Sequence, residues 1–195
     1  MPRLALSSLV LLLGCAPTPE EAPAARGPLG DRLTPGTGGT TEPVLPTLAH
    51  ADAELVINEV MASNDSTYTT GGDTPDWVEI HNPNPVDIEL AGFTVTDDLD
   101  EPGMHTLGDL VLPAEGFIVL LADDLTGGIH MPFKLGSEGD AFGLYDPEGV
   151  PLDQIEYTDL GDDQVAGRHP DDGPLVLLSE PTPGESNDSA SVLEP

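Results

Sequence analysis

Basic residues are scarce in this sequence of 195 residues. Lys and Arg number 5 against 36 Asp and Glu, so the formal charge at pH 7 is −31. Nucleic-acid binding depends on basic side chains that neutralise phosphates and release counterions, and anionic lipid surfaces attract the same side chains. The composition therefore excludes direct binding to nucleic acid and electrostatic docking onto an anionic membrane.

Cysteine and aromatic residues are also few. The single cysteine, Cys15, excludes an internal disulfide framework and any metal site built from several cysteines. The chain has 4 Phe, 3 Tyr and 1 Trp, whereas Gly and Pro reach 22 and 21. So many helix-breaking residues disfavour a helical bundle and favour short strands joined by turns.

The first fifteen residues, MPRLALSSLVLLLGC, predict a lipoprotein signal peptide over residues 1–14. Arg3 precedes an apolar stretch of about ten residues, the length of a signal-peptide core. The ending Gly14-Cys15 resembles a bacterial lipobox, so we expect Cys15 to be acylated and to anchor the chain in the membrane. Ala16 after the cysteine favours export to the outer membrane or cell surface. An ordinary secretory signal is the alternative.

A linker is predicted for residues 15–53. After Cys15 it holds seven Pro, six Thr and five Gly, and it has no aromatic residue. Such a segment buries too little apolar surface to offset its ordering entropy, so we expect disorder. As a random coil, ~38 residues would hold a folded domain on the order of 30–40 Å from the membrane.

From Glu54 onward, apolar residues recur with a period of two, which is typical of half-buried strands. Val78 and Ile80 share one face of a strand, and Trp77 and Glu79 share the other. Seven further strand candidates lie at residues 93–96, 105–111, 116–121, 141–145, 152–157, 164–168 and 174–178. Turn residues separate them, and this spacing predicts a β-sandwich or barrel.

Several motifs in this region resemble the lamin tail domain family. They are INEVMASN (57–64), DWVEIHNP (76–83), LAGFTVTDD (90–98), LPAEG (112–116), GLYD (143–146), GRHP (167–170) and PTPG (181–184). The resemblance implies an all-β, immunoglobulin-like β-sandwich of about 8–9 strands over residues 54–188, with a disordered tail at 189–195. It also implies a binding or structural module, since the family includes bacterial surface proteins and nuclear lamins. The charge of −31 speaks against carrying over any contact with DNA.

Few residue patterns indicate catalysis. The five histidines are scattered without a His-x-His or HExxH pattern, and no G-x-S-x-G elbow occurs. The only cysteine is expected to be acylated, so it is not available as a nucleophile. We therefore predict that the protein is not an enzyme, and we retain a small hydrolase as the second alternative function.

Calcium is the only cofactor that the residues suggest. Hard carboxylate oxygens in loops suit Ca²⁺, and two acidic loop segments carry candidate ligands. These residues are Asp97, Asp98, Asp100, Asp123 and Asp124. A calcium-dependent adhesion or matrix module is therefore the first alternative function, and a solvated acidic loop is the competing interpretation.

Three more residues in the predicted strands are candidates for a site. Glu59 and Glu79 fall in the first two strands, where they could face each other and share a cation, or instead bond to backbone or to Arg168. Trp77 is a candidate exposed anchor for a protein or glycan partner, since aromatic side chains dominate such contacts. Packing beneath a loop is the alternative for Trp77. Together, these observations predict a monomeric, non-catalytic lipoprotein of the cell envelope.

Overall fold

The protein is described here from a computed structural model that covers Leu48 and residues 50–193. The predicted signal peptide, Cys15 and most of the predicted linker lie outside the described residues. Twelve strands and two short 3₁₀ helices, His50–Asp52 and Asn187–Ser189, make up the regular structure of the described part. None of the described residues forms a helix long and apolar enough to cross a membrane.

The strands follow the expected turn-separated pattern. In chain order they are β1 Val56–Met61, β2 Asp76–His81, β3 Ile88–Glu89, β4 Thr94–Thr96, β5 His105–Thr106, β6 Val111–Leu112, β7 Phe117–Ala122, β8 His130–Met131, β9 Gly139–Tyr145, β10 Pro151–Thr158, β11 Val165–Arg168 and β12 Leu175–Leu178.

The strands form two main sheets. The large sheet has the order β12-β11-β1-β2-β7-β8, the small sheet has the order β10-β9-β4-β5, and β3 pairs with β6 in a two-stranded ribbon. All pairings are antiparallel except the one between β7 and β8. β1 therefore lies inside the large sheet, between β11 and β2.

The main core lies between the two sheets. Val78 and Ile80 on β2 belong to the same buried cluster as Phe142 and Leu144 on β9. All four side chains are fully buried. Because successive side chains of a strand point to opposite faces, the period-two pattern supplies each sheet with an apolar inner face. The expected all-β, immunoglobulin-like sandwich is confirmed.

The strand predictions differ from the structure at β3 and β8, which no candidate covers, and at residues 105–111. The segment 105–111 was expected to be one strand, but its ends belong to different sheets, as β5 pairs with β4 and β6 pairs with β3. Between them Gly92 N donates to Leu107 O, and Leu90 N donates to Leu110 O. The chain leaves the small sheet here, so the alternation of residue types does not reflect one continuous strand.

The folded part extends beyond both predicted boundaries. Before residue 54, Ala53 is buried and the His50 ring packs edge-on against Phe93, with ring centroids 5.1 Å apart. After residue 188, the backbone N–H of Leu193 donates to Leu177 O over 2.8 Å. The expected disordered tail is therefore wrong for residues 189–193, because backbone pairing along β12 holds them.

Arg168 joins the two sheets through a half-buried ion pair. Its Nη2 lies 2.9 Å from both carboxylate oxygens of Asp153 on β10. Its Nε donates to Ile57 O, and its Nη1 donates to Gly173 O. Asp153 also accepts the N–H of Ile57 over 2.9 Å. The guanidinium directs its three nitrogens to three different partners, which the single ammonium group of a lysine could not reproduce.

We expect Arg168→Met to lower the free energy of unfolding by about 3–5 kcal/mol, because it leaves the Asp153 carboxylate unpaired at the sheet junction. Lys134→Met is the matched control. It also removes one positive charge, but the Lys134 pair with Asp124 is 3.9 Å long and exposed, so we expect a loss of about 0–1 kcal/mol. Urea denaturation of both variants tests this. Equal losses would contradict the structural role of Arg168.

Candidate functional site

A β-bulge in β1 creates the most unusual feature of the molecule. Ile57 pairs with Ile80 and Glu59 pairs with Glu79, so Asn58 is an extra residue in β1. A strict alternation would place Glu59 on the same face as Ile57. The bulge instead turns Glu59 to the outer face of the large sheet, directly opposite Glu79.

Both glutamates, which we call the carboxyl pair, are fully buried. Desolvation raises the pKa of Glu59 to about 7 and the pKa of Glu79 to about 8. The negative charges of Asp171 and of Glu59 itself add to the rise at Glu79. Buried carboxyl groups are costly unless hydrogen bonds compensate for lost water, so the donors around them determine what the pair can do.

The C-terminal segment, residues 179–193, supplies most of those donors. Thr182 donates to Glu59 Oε1 through its backbone N–H over 3.0 Å and approaches the same atom with Oγ1 at 2.6 Å. The N–H of Gly184 donates to Glu79 Oε2. Asn58 Nδ2 donates to Glu79 Oε1 over 2.9 Å. The carboxyl pair and the C-terminal segment are therefore bonded directly to each other.

Asn187 fastens the C-terminal segment at a second point. Its Nδ2 donates to Arg168 O over 2.9 Å and to Asn58 O over 3.3 Å, and its N–H donates to Asp171 Oδ1 over 2.6 Å. Gly167 makes this approach feasible. A Cβ at that position would lie 3.0 Å from Asn187 Nδ2 and 2.5 Å from a methyl carbon of Leu178.

A second apolar cluster also lies on the outer face of the large sheet. Its buried members, which we call the outer cluster, are Met61, Trp77, Leu121, Val165 and Leu178. Ala190 from the C-terminal segment packs against it. Trp77 is fully buried, so the expectation of an exposed Trp77 anchor is wrong, because Tyr68 and the C-terminal segment approach this face from outside.

The predicted calcium ligands lie in two separate places. Asp97, Asp98 and Asp100 follow β4 and line an open depression of about 590 Å³, together with Asp140 and Glu156. Asp123 and Asp124 follow β7 in the other sheet. Nowhere in the described part of the chain do three His, Cys, Asp or Glu side chains converge closely enough to hold a metal ion. The structure does not bring the five predicted carboxylates together.

Asp123 forms a pair with a histidine instead. Its Oδ2 lies 2.6 Å from His130 Nδ1, and its Oδ1 accepts the N–H of Leu125. Both residues line an open depression of about 550 Å³ that Thr70 and Thr74 also line. An acid–histidine pair is one part of a hydrolytic triad. Among the described residues, no hydroxyl is hydrogen-bonded to the His130 ring, so the contact is an isolated Asp–His hydrogen bond without a nucleophile.

One comparison with known proteins identifies the domain. The family model of the Lamin Tail Domain matches residues 49–159. The chain belongs to the lamin tail domain family. A search of curated proteins found no match, and a search of solved structures found none either.

The part of the chain beyond residue 159, where the family match ends, contributes to the same sandwich. β11 pairs with β1, β12 pairs with β11, and the C-terminal segment covers the carboxyl pair. Sequence analysis singled out PTPG at 181–184 only as a family-like motif. Its role as a donor of hydrogen bonds to Glu59 and Glu79 depends on contacts between positions more than 100 residues apart, which no local pattern records.

The carboxyl pair predicts that stability falls as pH rises. Both folded pKa values exceed the usual 4.5 of glutamate, so the folded state binds more protons than the unfolded chain between pH 4.5 and about 8. The free energy of unfolding then decreases across this range. Burial lowers the pKa of His81, which acts in the opposite direction below about pH 6.5.

The test is therefore urea denaturation between pH 7 and pH 9 at constant ionic strength. We expect a loss on the order of 1–3 kcal/mol from the carboxyl pair. Glu156→Gln, which removes one exposed carboxylate, serves as the control and should keep the slope of the original protein. A stability that is constant or increases over this range would contradict the buried titration.

The separation of the acidic loops predicts no calcium-specific stabilisation. Calcium in ~100-fold excess over its dissociation constant would add ~2.7 kcal/mol if a specific site existed. Because no three ligands converge in the described residues, we expect superimposable thermal melts in Ca²⁺ and Mg²⁺ at equal ionic strength. A rise in Tm of several degrees with Ca²⁺ alone would contradict this and favour the adhesion module.

Proposed function

We propose that this lamin tail domain is exported, anchored in the membrane by lipid at Cys15, and displayed as a non-catalytic binding and structural module of the cell envelope. The observation that supports this proposal is the order of the segments along the chain. A lipobox-like LLGC ending is followed by a Pro/Thr/Gly-rich stretch and then by a domain of a known family of binding and structural modules. The predicted linker provides the distance from the membrane that such display needs.

The form of the domain supports a binding role. The inner faces of its sheets pack into one core, and the C-terminal segment bonds to the outer face of the large sheet. The acidic depression after β4 and the depression beside Asp123 and His130 are both open at the surface. We propose that the partner is a protein or a glycan, contacted through side chains other than Trp77. Monomeric display on the anchor is part of the same proposal.

The anchor is tested by labelling cells that express the full chain with an alkyne analogue of palmitate. We expect the chain to take up label and to fractionate with membranes. Cys15→Ser removes the thiol that accepts diacylglycerol and should abolish both. Ala16→Ser is the matched control, since it changes a neighbouring residue and leaves the thiol intact.

The two signal interpretations give different results in this experiment. If an ordinary secretory signal operates, Cys15→Ser is processed and fractionates like the original chain, and neither protein carries label. That result would contradict the lipid anchor while leaving export intact. Retention of label in Cys15→Ser would also contradict the assignment of the acylated residue.

A further inference from the structure

The hydrogen bonds around the carboxyl pair do not balance if both glutamates are ionised. Thr182 Oγ1 lies 2.6 Å from Glu59 Oε1 and is also hydrogen-bonded to Asn187 Oδ1. A hydroxyl group has a single proton and donates once. Two acceptors therefore face one donor, and both acceptor residues, Glu59 and Asn187, are fully buried.

Reversing the Asn187 amide does not restore the balance. In the present orientation, Asn187 Nδ2 donates to the carbonyl oxygens of Arg168 and Asn58, at 2.9 and 3.3 Å. A reversed amide would place its oxygen against those two carbonyl oxygens, where neither partner has a proton. Asn187 Oδ1 must therefore face Thr182 and accept the hydroxyl proton, and the proton between Thr182 and Glu59 must come from Glu59.

We infer that Glu59 is a carboxylic acid at neutral pH, that it donates a hydrogen bond from Oε1 to Thr182 Oγ1, and that this proton fastens the C-terminal segment to the large sheet. The cation held by the pair is then a proton. A metal ion fits poorly, because N–H groups of Thr182, Gly184 and Asn58 already point at the carboxyl oxygens.

The electrostatics of the pair agree with this placement. Burial raises the pKa of Glu59 to about 7 and the pKa of Glu79 to about 8. Glu59 and Glu79 lie on directly opposed strand positions and the charge of Glu59 raises the pKa of Glu79, so the two carboxyl groups titrate as a unit and these values belong to the pair. The pair then keeps at least one proton at pH 7. Both glutamates accept N–H groups, but only Glu59 also contacts the Thr182 hydroxyl, whose single proton goes to Asn187, so the donor count assigns the proton to Glu59.

The surrounding charges favour retention of the proton. The charged and titratable groups on the elements around the pair are Asp76 and His81 on β2, Arg168 on β11, His169, Asp171 and Asp172 between β11 and β12, and Glu180, Glu185 and Asp188 in the C-terminal segment. The carboxylate of Asp171 raises the pKa of both glutamates. The Arg168 guanidinium bonds to Asp153, Ile57 O and Gly173 O and makes no bond to the pair. Burial lowers the pKa of His81, which disfavours a positive charge on its ring.

Loss of the proton opens the contact. Ionised Glu59 leaves Thr182 with two acceptors for one hydroxyl proton, and it adds a buried negative charge opposite Glu79. The C-terminal segment then separates from the large sheet, and the outer cluster containing Trp77 gains access to solvent. The contact is therefore closed in acid and neutral solution and opens in alkaline solution.

The variant Glu59→Gln distinguishes a protonated Glu59 from an arrangement in which both glutamates are ionised. The amide nitrogen of Gln can donate to Thr182 Oγ1 as the acid does, and its oxygen can occupy the Oε2 position, 3.2 Å from Thr182 N. Hydrogen exchange of residues 179–193 in the full chain, corrected for intrinsic rates, is measured at pH 6 and pH 9. We expect protection in the original protein to fall by at least about tenfold, the effect of one pKa unit. Glu59→Gln should stay protected at both pH values.

Three control variants narrow the interpretation. Glu156→Gln removes one exposed carboxylate and should open with pH like the original protein. Thr182→Ser keeps the hydroxyl and should do the same. Thr182→Val removes it and should exchange rapidly at both pH values. The fluorescence of Trp77, the only tryptophan of the chain, should shift to the red wherever the C-terminal segment loses protection.

A second measurement detects the protonated carboxyl group of the original protein directly. Infrared spectroscopy of the original full chain at pH 7 should show a carboxylic-acid C=O band that titrates away by pH 9 and is missing from Glu59→Gln. Three results would overturn the inference. They are an equal pH response in Glu59→Gln, failure of Glu59→Gln to fold, and absence of a band assigned to Glu59 at pH 7.

Discussion

The extra residue at Asn58 is the constraint on which the rest of the outer face depends. β1 lies inside the large sheet, and its inner face must supply Ile57 and Val60 to the core. Those two residues are three positions apart, so a regular strand could not present both to the same side. The bulge solves this problem, and in doing so it turns Glu59 outward against Glu79. Two buried carboxyl groups are the consequence of a packing requirement in the core.

Sequence periodicity predicts the sandwich because the most regular strand candidates depart little from strict alternation of inward and outward residues. The inward pair Val78 and Ile80 and the outward pair Trp77 and Glu79 lie on the faces that alternation assigns to them. Alternation fails at Glu59, because the bulge reverses which face each later residue of β1 occupies. The residue types at the bulge do not reveal its presence. Alternation also misleads at Trp77, because it shows which face a side chain occupies but not whether a later segment covers that face.

The acidic loops show a different limit of sequence analysis. Asp97, Asp98 and Asp100 resemble a ligand group with Asp123 and Asp124 because all five stand just after strands. Their strands belong to different sheets, β4 to the small one and β7 to the large one. Proximity of loop ends depends on sheet order, and sheet order depends on long-range pairing that composition does not encode. The same reasoning explains why Thr182 and Asn187 had no predicted role.

The carboxyl pair links two parts of the chain that differ in how well sequence identifies them. Glu59 and Glu79 lie within the region matched by the family model, and Thr182 and Gly184 lie beyond it. An apolar pair at these positions would pack against many covering segments, whereas buried carboxyl groups accept only a segment that brings donors to the right atoms. The pair therefore costs stability and in return selects one register for the C-terminal segment. A polar contact of this kind suits a position where the covering segment must dock in a single way and release under a defined condition.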